Sequence, residues 1–539
     1  MTPKSWAQVP LGEVANLYQG FGFPKKLQGR DAGELGFYKV SDISRAVVAG
    51  NEHLGPAVHC ISRAEAKALR ATPLPKDSVV FARIGEAINL NRRALLPADA
   101  LVDNNVIGTK ARTGIEDRYL FYFLKTVKLG ELSQATTVPA VRTSDIAAIK
   151  VPVAPTGEQK RIVSKLDELF SDIEEGERAL ERVQKLVERY RQSVLKAAVT
   201  GELTREWRQK HKGPLESGEA LLQRILEARR EAWEKAELAK MKANGRKEGA
   251  GWKAKYIEPL PPDATELPQL PERWVWARAE QLCDFITKGT TPAASDMKVG
   301  AGEVPYIKVY NLTFDRSLDF DKDPTFIAAE THRVLLARSR VLPGDVVMNI
   351  VGPPLGKVSV VPESFPEWNM NQAVCVFRPY AGVENQFLAS YLLSRAAQDW
   401  YAKKSKATVG QVNLTLEVCR DTPVPIPPQS EQREIVELLS LELSRIAALA
   451  HSLQRDRAEA TALRQSVLSA AFSGELVAQD TTDEPASELL SRLEDLRAAE
   501  QELTRVRAGL SKTQPLAQVM KEHGIQPKAQ RRNRAPRGV

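Results

Sequence analysis

The stretch VGPPLG at residues 351–356 comes nearest to a catalytic motif in this chain. Methylation of a base amino group needs an Asn or Asp before a Pro-Pro pair and an aromatic ring after it, so that the amino group is held and the base is stacked. Gly352 stands where the amide or carboxylate belongs and Leu355 where the ring belongs, so this stretch does not carry that reaction. Followed to Lys357, it is too short for a Walker phosphate loop and lacks the Ser or Thr that would hold magnesium. It reads as a turn beside a strand, able at most to touch a phosphate. The six histidines (His53, His59, His211, His332, His451, His523) show neither an H-x-x-x-H spacing nor a cysteine partner fit for metal ligation. His53 and His59 near Cys60 read as a chance loop cluster, and no Ser-His-Asp set follows from spacing alone. The chain therefore reads as non-catalytic by itself.

The composition limits what kind of protein this is. At 539 residues the chain is longer than one core organises, and 43% apolar with 27% charged residues describes a globular protein rather than a disordered one. Four separated cysteines (Cys60, Cys283, Cys375, Cys419), no C-x-x-C pair and no apolar leader at the start predict a reducing, cytoplasmic setting. No apolar run reaches the roughly 18 residues of a membrane span, so no membrane partner is expected. The net charge of +8 is distributed unevenly. Residues 1–155 and 205–255 each carry an excess of six positive charges, while 256–427 carry a deficit of three.

The strongest organising signal is a duplication. RQSVLKAAVTGEL at 191–203 returns as RQSVLSAAFSGEL at 464–476, and 158–203 superposes on 431–476 at one offset with no gap. A separation of this size marks a doubled module and not a solenoid, whose units run roughly 20 to 50 residues. Upstream the match is looser: KVPVAPTGEQ meets PVPIPPQSEQ, FYKVSDI meets YIKVYNL, LPKDSVV meets LPGDVVM, and Trp6 with Pro24 meets Trp274 with Pro292.

The repeated segment predicts a long helix. Leu166, Leu169, Ile173, Gly176, Leu180, Val183, Val187, Tyr190, Val194 and Ala197 fall on steps of three and four, a heptad seam. The second copy interrupts its seam with Glu442 and Asp456. Thr156 and Ser430 are the candidate N-caps, and Gly201 and Gly474 mark the ends. From 158 to 198 such a helix spans on the order of 60 Å and must bury its stripe. Its own copy, running antiparallel, is the expected mate, which places the two globular regions at opposite ends about an approximate two-fold axis.

The expected fold class is α+β: two globular α/β domains joined by two long antiparallel coiled-coil helices, with an internal pseudo-two-fold repeat. The divisions are a first globular domain at 1–155, a first helix at 156–203 and a helical connector with Pro-rich linker at 204–270. A second globular domain at 271–427, a second helix at 428–476 and a helical segment with a disordered basic tail at 477–539 complete the chain.

With its EQ-x-x-IV openings after proline, its L-x-A-A-[VF]-[TS]-GEL closings and the W…KGTTP…YIKVYNL stretch from Trp274, the chain resembles the specificity subunits of type I restriction-modification enzymes. The likeness runs from about residue 5 to about 500. It departs from that pattern at residues 19–24, QGFGFP, where KGTTP is usual. The resemblance implies two target recognition domains, each reading half of a split site in double-stranded DNA. It also implies helices that dock two modification (methyltransferase) subunits, with restriction/translocase subunits joining them. S-adenosylmethionine, ATP and magnesium would then reside on those partners and no cofactor in this chain. The competing reading is a coiled-coil adaptor that binds only protein; a specificity subunit of a related methylation-based defence system is the other.

Duplex DNA is held by Lys and Arg at phosphates and read by Arg, Lys, Asn and Gln at base edges. The candidate contacts in the first domain are Lys25, Lys26, Arg83, Arg92, Arg93 and Arg142. In the second they are Lys288, Lys308, Lys357, Lys403, Lys404, Lys406, Gln411 and Asn413.

Overall fold

The computed structural model describes residues 3–133, 138–213, 216–245, 251–352, 355–408 and 411–507. The chain forms two compact units: residues up to 179 together with those from 456 onward, and 180–455.

Each unit is built on the same sheet. In the first, the strands run in the order Ala15–Gln19, Val106–Ala111, Val79–Ala82, Ala94–Leu95, all antiparallel. In the second the order is Cys283–Lys288, Val374–Pro379, Val346–Asn349, Val358–Val360, again antiparallel. The central strands are buried on both faces, which is why VVFA and VVMN read as unbroken apolar runs and not as alternating ones. A smaller sheet adjoins each. Leu35–Tyr38 pairs antiparallel with Cys60–Ile61 and parallel with Ala100–Val102. Val304–Ile307 does the same with Thr325–Ile327 and Asn369–Met370, and Met297–Val299 adds a fourth strand. A two-stranded clasp then closes each domain, Ala7–Pro10 on Lys150–Val153 and Val275–Arg278 on Pro423–Ile426.

The clasp strands lead into the long helices, Thr156–Val199 and Gln429–Ser473, of 44 and 45 residues. Both stop at a glycine in the left-handed region, Gly201 (φ +75°) and Gly474 (φ +81°), a conformation that L side chains resist. Each helix begins in one unit and ends in the other. Within the first unit Arg161 meets Asp483 at 2.6 Å and Arg464 meets Glu177 at 3.2 Å. Within the second, Tyr190 donates to Glu442 at 3.0 Å and Thr204 to Glu431 at 2.7 Å. In both units the partner number falls as the first helix advances, so the helix segments pair antiparallel. The polar break expected at Glu442 is thus answered by a hydroxyl from the facing helix.

Two expectations are corrected. The buried stripe opening the first helix is Ile162, Leu166 and Phe170, at steps of four, and it enters the core of the globular domain together with Leu468 and Ala471. Farther along, the second unit buries Val194 with Leu439 and Ile446 in one cluster and packs Val187 against it, as the seam predicts, whereas Val183, Tyr190, Leu449 and Leu463 of the same seam are exposed. Nor does either proposed cap act as one. Thr156 is already helical and donates its hydroxyl to the Gly114 carbonyl at 3.2 Å, and the second helix starts at Gln429, before Ser430.

The charged connector folds as a helix, Gly218–Ala243, that buries Leu221 and Ile225 in the second domain's core. Its counterpart, Ala486–Arg507, buries Leu489 and Leu493 in the first. The duplication therefore extends through these helices. The basic tail lies outside the described residues.

Candidate nucleic-acid interface

The most closely repeated chemistry in the molecule is a buried clamp at the start of each long helix. Trp6 donates its indole N–H to Glu158 Oε2 at 2.9 Å, and Trp274 donates to Glu431 Oε2 at 2.9 Å. The adjoining glutamines repeat as well. Gln159 Nε2 donates to the Ala154 carbonyl while its Oε1 accepts from the Glu116 N–H, and Gln432 treats Pro427 and Glu384 in the same way. Both Glu-Gln pairs are fully buried, where an unmatched polar atom is costly. The EQ motif is therefore a structural joint that fixes each globular domain onto its helix.

The joints differ in one respect. Glu431 also receives Thr204 and the Arg208 guanidinium at 2.5 Å, whereas Glu158 is answered by neutral donors, Trp6 and Gln479. Burial pushes the Glu158 carboxyl above its ordinary range, partly offset by those hydrogen bonds.

The candidate DNA contacts divide by burial. Lys25 and Lys26 lie exposed on a single 3-10 turn, Lys25–Leu27. The preceding loop, the divergent QGFGFP, is anchored by Phe23 stacked on Phe37 with ring centroids 3.7 Å apart. At the other end of that loop Gln19 donates to Thr143 at 3.0 Å, next to the exposed Arg142. Arg83 and Arg92 are half-buried. Arg83 follows the strand Val79–Ala82, with its N–H given to the Asn105 carbonyl and its own carbonyl accepting from Val141.

Arg93 is a correction. It is 3% exposed, its guanidinium donates to the carbonyls of Arg92 and Val127 and to Asn91 Oδ1, and it lies over the Phe81 ring at 4.8 Å. Burial lowers its pKa to about 9. It ties two loops together and has no face left for a phosphate. Sequence gave no warning, because Arg92 and Arg93 are indistinguishable in a polar turn.

In the second domain the structure brings several candidates together. The strands Lys406–Thr408 and Gln411–Asn413 form a hairpin with Lys406 opposite Asn413, and Val351–Gly352 adds a third strand opposite Asn413 and Val412. Residues 351–352 and the paired strands 406–408 and 411–413 therefore form one small sheet, and nearby Lys357 gives its N–H to Asn349 Oδ1 and sets its ammonium over Phe314. Pro353 and Pro354, and the side chains of Lys406 and Gln411, lie outside the described residues. Lys288 ends a strand and is exposed, and Lys308 lies over Tyr310 at 5.4 Å. Lys403 and Lys404 are exposed but line a cleft with Asp263, Glu266, Asp399 and Asp421, a mixed-charge surface poorly suited to phosphate.

One cation escaped the sequence reading. Arg338 donates to Thr290 Oγ1 at 3.1 Å, on the KGTTP loop beside Lys288. That loop is held close to the sheet: Gly289 lies where a Cβ would come within 2.1 Å of the Met370 carbonyl, and Tyr306 donates to the Thr290 carbonyl at 2.8 Å. Nothing in the spacing links positions 290 and 338, since the approach depends on the fold of the smaller sheet. His332 is buried between Glu367 and Asn369, and no metal-ligating cluster occurs among the described residues.

A doubled α/β domain, jointed in the same way to two paired helices and differing chiefly in its loops, defines a scaffold with two separate binding heads. The type I restriction modification DNA specificity domain model matches residues 3–182 and again 271–451. The chain belongs to that family and carries two copies of its domain. Among its relatives, the EcoDI specificity subunit of Escherichia coli is 25% identical over 71% of this chain and 78% of its own. The EcoBI specificity subunit, also from Escherichia coli, is 24% identical over 92% of this chain and 93% of its own. A chain from a study of complex assembly and conformational transition of the type I R-M system superposes with a TM-score of 0.62 at 19% identity, covering 88% of this chain and 100% of that one. No helix among the described residues is long and apolar enough to cross a membrane.

Proposed function

We propose that the two domains each read one half of a split site in double-stranded DNA, and that the long helices, passing from one unit into the other, set the gap between the halves. The observation that carries this reading is the contrast between joint and loops. The Trp-Glu-Gln clamp is the same in both units to within a few tenths of an ångström, while the surface loops (QGFGFP against KGTTP) share little. A scaffold kept constant under loops that vary is what two different half-sites require. The exposed apolar residues along the helices, Val183, Leu441, Leu449 and Leu463, supply the docking surface for two modification subunits, and restriction subunits join through them. Methyl transfer and ATP-driven cleavage, with their S-adenosylmethionine, ATP and magnesium, belong to those partners, and this chain contributes no catalytic group. Co-expressing the chain with its modification subunit and mapping methylated adenines across the host genome tests it. A split motif with one modified base per strand is expected, and unmodified DNA would favour a protein-binding adaptor.

A further inference from the structure

The two copies of the repeated helix carry opposite charge where they meet their partners. At the start of the first helix, residues 158–161 (EQKR) have net charge +1, and the equivalent 431–434 (EQRE) have −1, because Arg161 is replaced by Glu434. The segments leaving the helices are reversed in turn. Residues 204–212 (TREWRQKHK) have net charge +3 with His neutral, and 477–485 (VAQDTTDEP) have −3. In the structure each exit lies on the start of opposite sign. Arg161 pairs with Asp483 at 2.6 Å within the first unit. Within the second unit Lys210 and Glu434 line one cleft of about 420 Å³, beside the Arg208–Glu431 pair at 2.5 Å, whose glutamate both helices carry.

We propose that this reversal is a self-recognition device that makes the chain pair its first helix with its second and disfavours pairing like helix with like from another copy. The need arises from the duplication itself. The two helices share their closing motif and half of their seam, including Leu166 and Leu439, Ile173 and Ile446, and Val194 and Val467, so the apolar contacts alone distinguish native from like-with-like pairing only weakly. Charge does distinguish them. If two first helices met antiparallel, the +3 exit would face Arg161 and the +1 start; if two second helices met, the −3 exit would face Glu434 and the −1 start. Summed over these start and exit segments, both like pairings bring net charge of one sign together and both native ones bring opposite signs together, which is how paired helices commonly choose partners. Each exposed charge contact changes a pairing ratio by a factor of roughly 1.5 to 5.

The test uses the full chain carrying either of two affinity tags. The two forms are unfolded together in urea, refolded by dilution at low salt, and captured by one tag while the other is quantified. The decisive variant is Arg161→Glu with Asp480→Asn and Asp483→Arg. It keeps an ion pair between positions 161 and 483 with its sign inverted, keeps an Asx turn at 480 in place of the one Asp480 makes with Thr482, and leaves no like pairing repulsive. Co-capture is expected to rise about tenfold over the wild type, while Tm changes by only a few degrees. Wild-type co-capture is also expected to rise with salt in the refolding buffer, as screening removes the discrimination; this arm needs no variant. Equal co-capture by wild type and folded variant, or wild-type exchange indifferent to salt, overturns the proposal.

Discussion

At the scale of residues, the two glutamates of the repeated EQ motif do the same task in different electrostatic company, and their variants should differ accordingly. Glu431→Gln leaves Arg208 facing a neutral amide in a buried joint and should cost about 1–3 kcal/mol in urea unfolding; Glu158→Gln, which removes a charge that no cation contacts directly, should cost less. Their pH responses should differ too. Because burial raises the Glu158 pKa, the folded state holds that proton more tightly than the unfolded chain does. Its contribution is present below the unfolded value, about 4.3, and is lost as pH rises through the range above it. Glu158→Gln should therefore improve relative to wild type between pH 4 and pH 7, as followed by Tm; a flat difference would contradict the assignment. Arg93→Ala should cost about 2 kcal/mol through lost carbonyl hydrogen bonds and leave the salt dependence of DNA binding unchanged. Replacing Lys25 and Lys26 by alanine should lower the slope of log K against log salt by about 2. The EQ motif was legible in the sequence as a repeated signature, but its role was not, because the indole it meets lies 152 residues away in one copy and 157 in the other.

At the scale of elements, the long helices act as domain cores at their ends and as exposed faces between. Leu439→Ala, at a fully buried site packed with Trp274 and Phe387, should cost 2–5 kcal/mol. Leu449→Ala, 53% exposed, should change the free chain by no more than about 0.5 kcal/mol and weaken capture of the modification subunit. Equal losses of stability would remove the distinction. Helix lengths and ends were legible from the heptad run and from Gly201 and Gly474. The division of the stripe was not, because a period of three and four says which face is apolar and nothing about what covers it. The pairing of 351–352 with 411–413 was hidden for a similar reason, since strand pairing across about sixty residues leaves no local pattern.

At the scale of the whole molecule, the duplication made the fold class readable from sequence: a register kept without a gap over 158–203 requires two equivalent folded environments, and the same strand order appears in both. The loop contacts that would distinguish the two readers were the least legible part, because they depend on which cation of an adjacent pair turns inward. If the helices set the gap between half-sites, inserting seven residues into each at its exposed middle should lengthen the unread spacer and leave both half-motifs unchanged. The most direct test of the account is the methylation map of DNA from cells making the modification subunit together with either the wild-type chain or a Lys357→Ala, Asn413→Ala variant. The expected result is a split motif in the wild type and relaxed specificity in only one half for the variant. A single uninterrupted motif, or a variant that alters both halves alike, would contradict the claim that the two domains read separately.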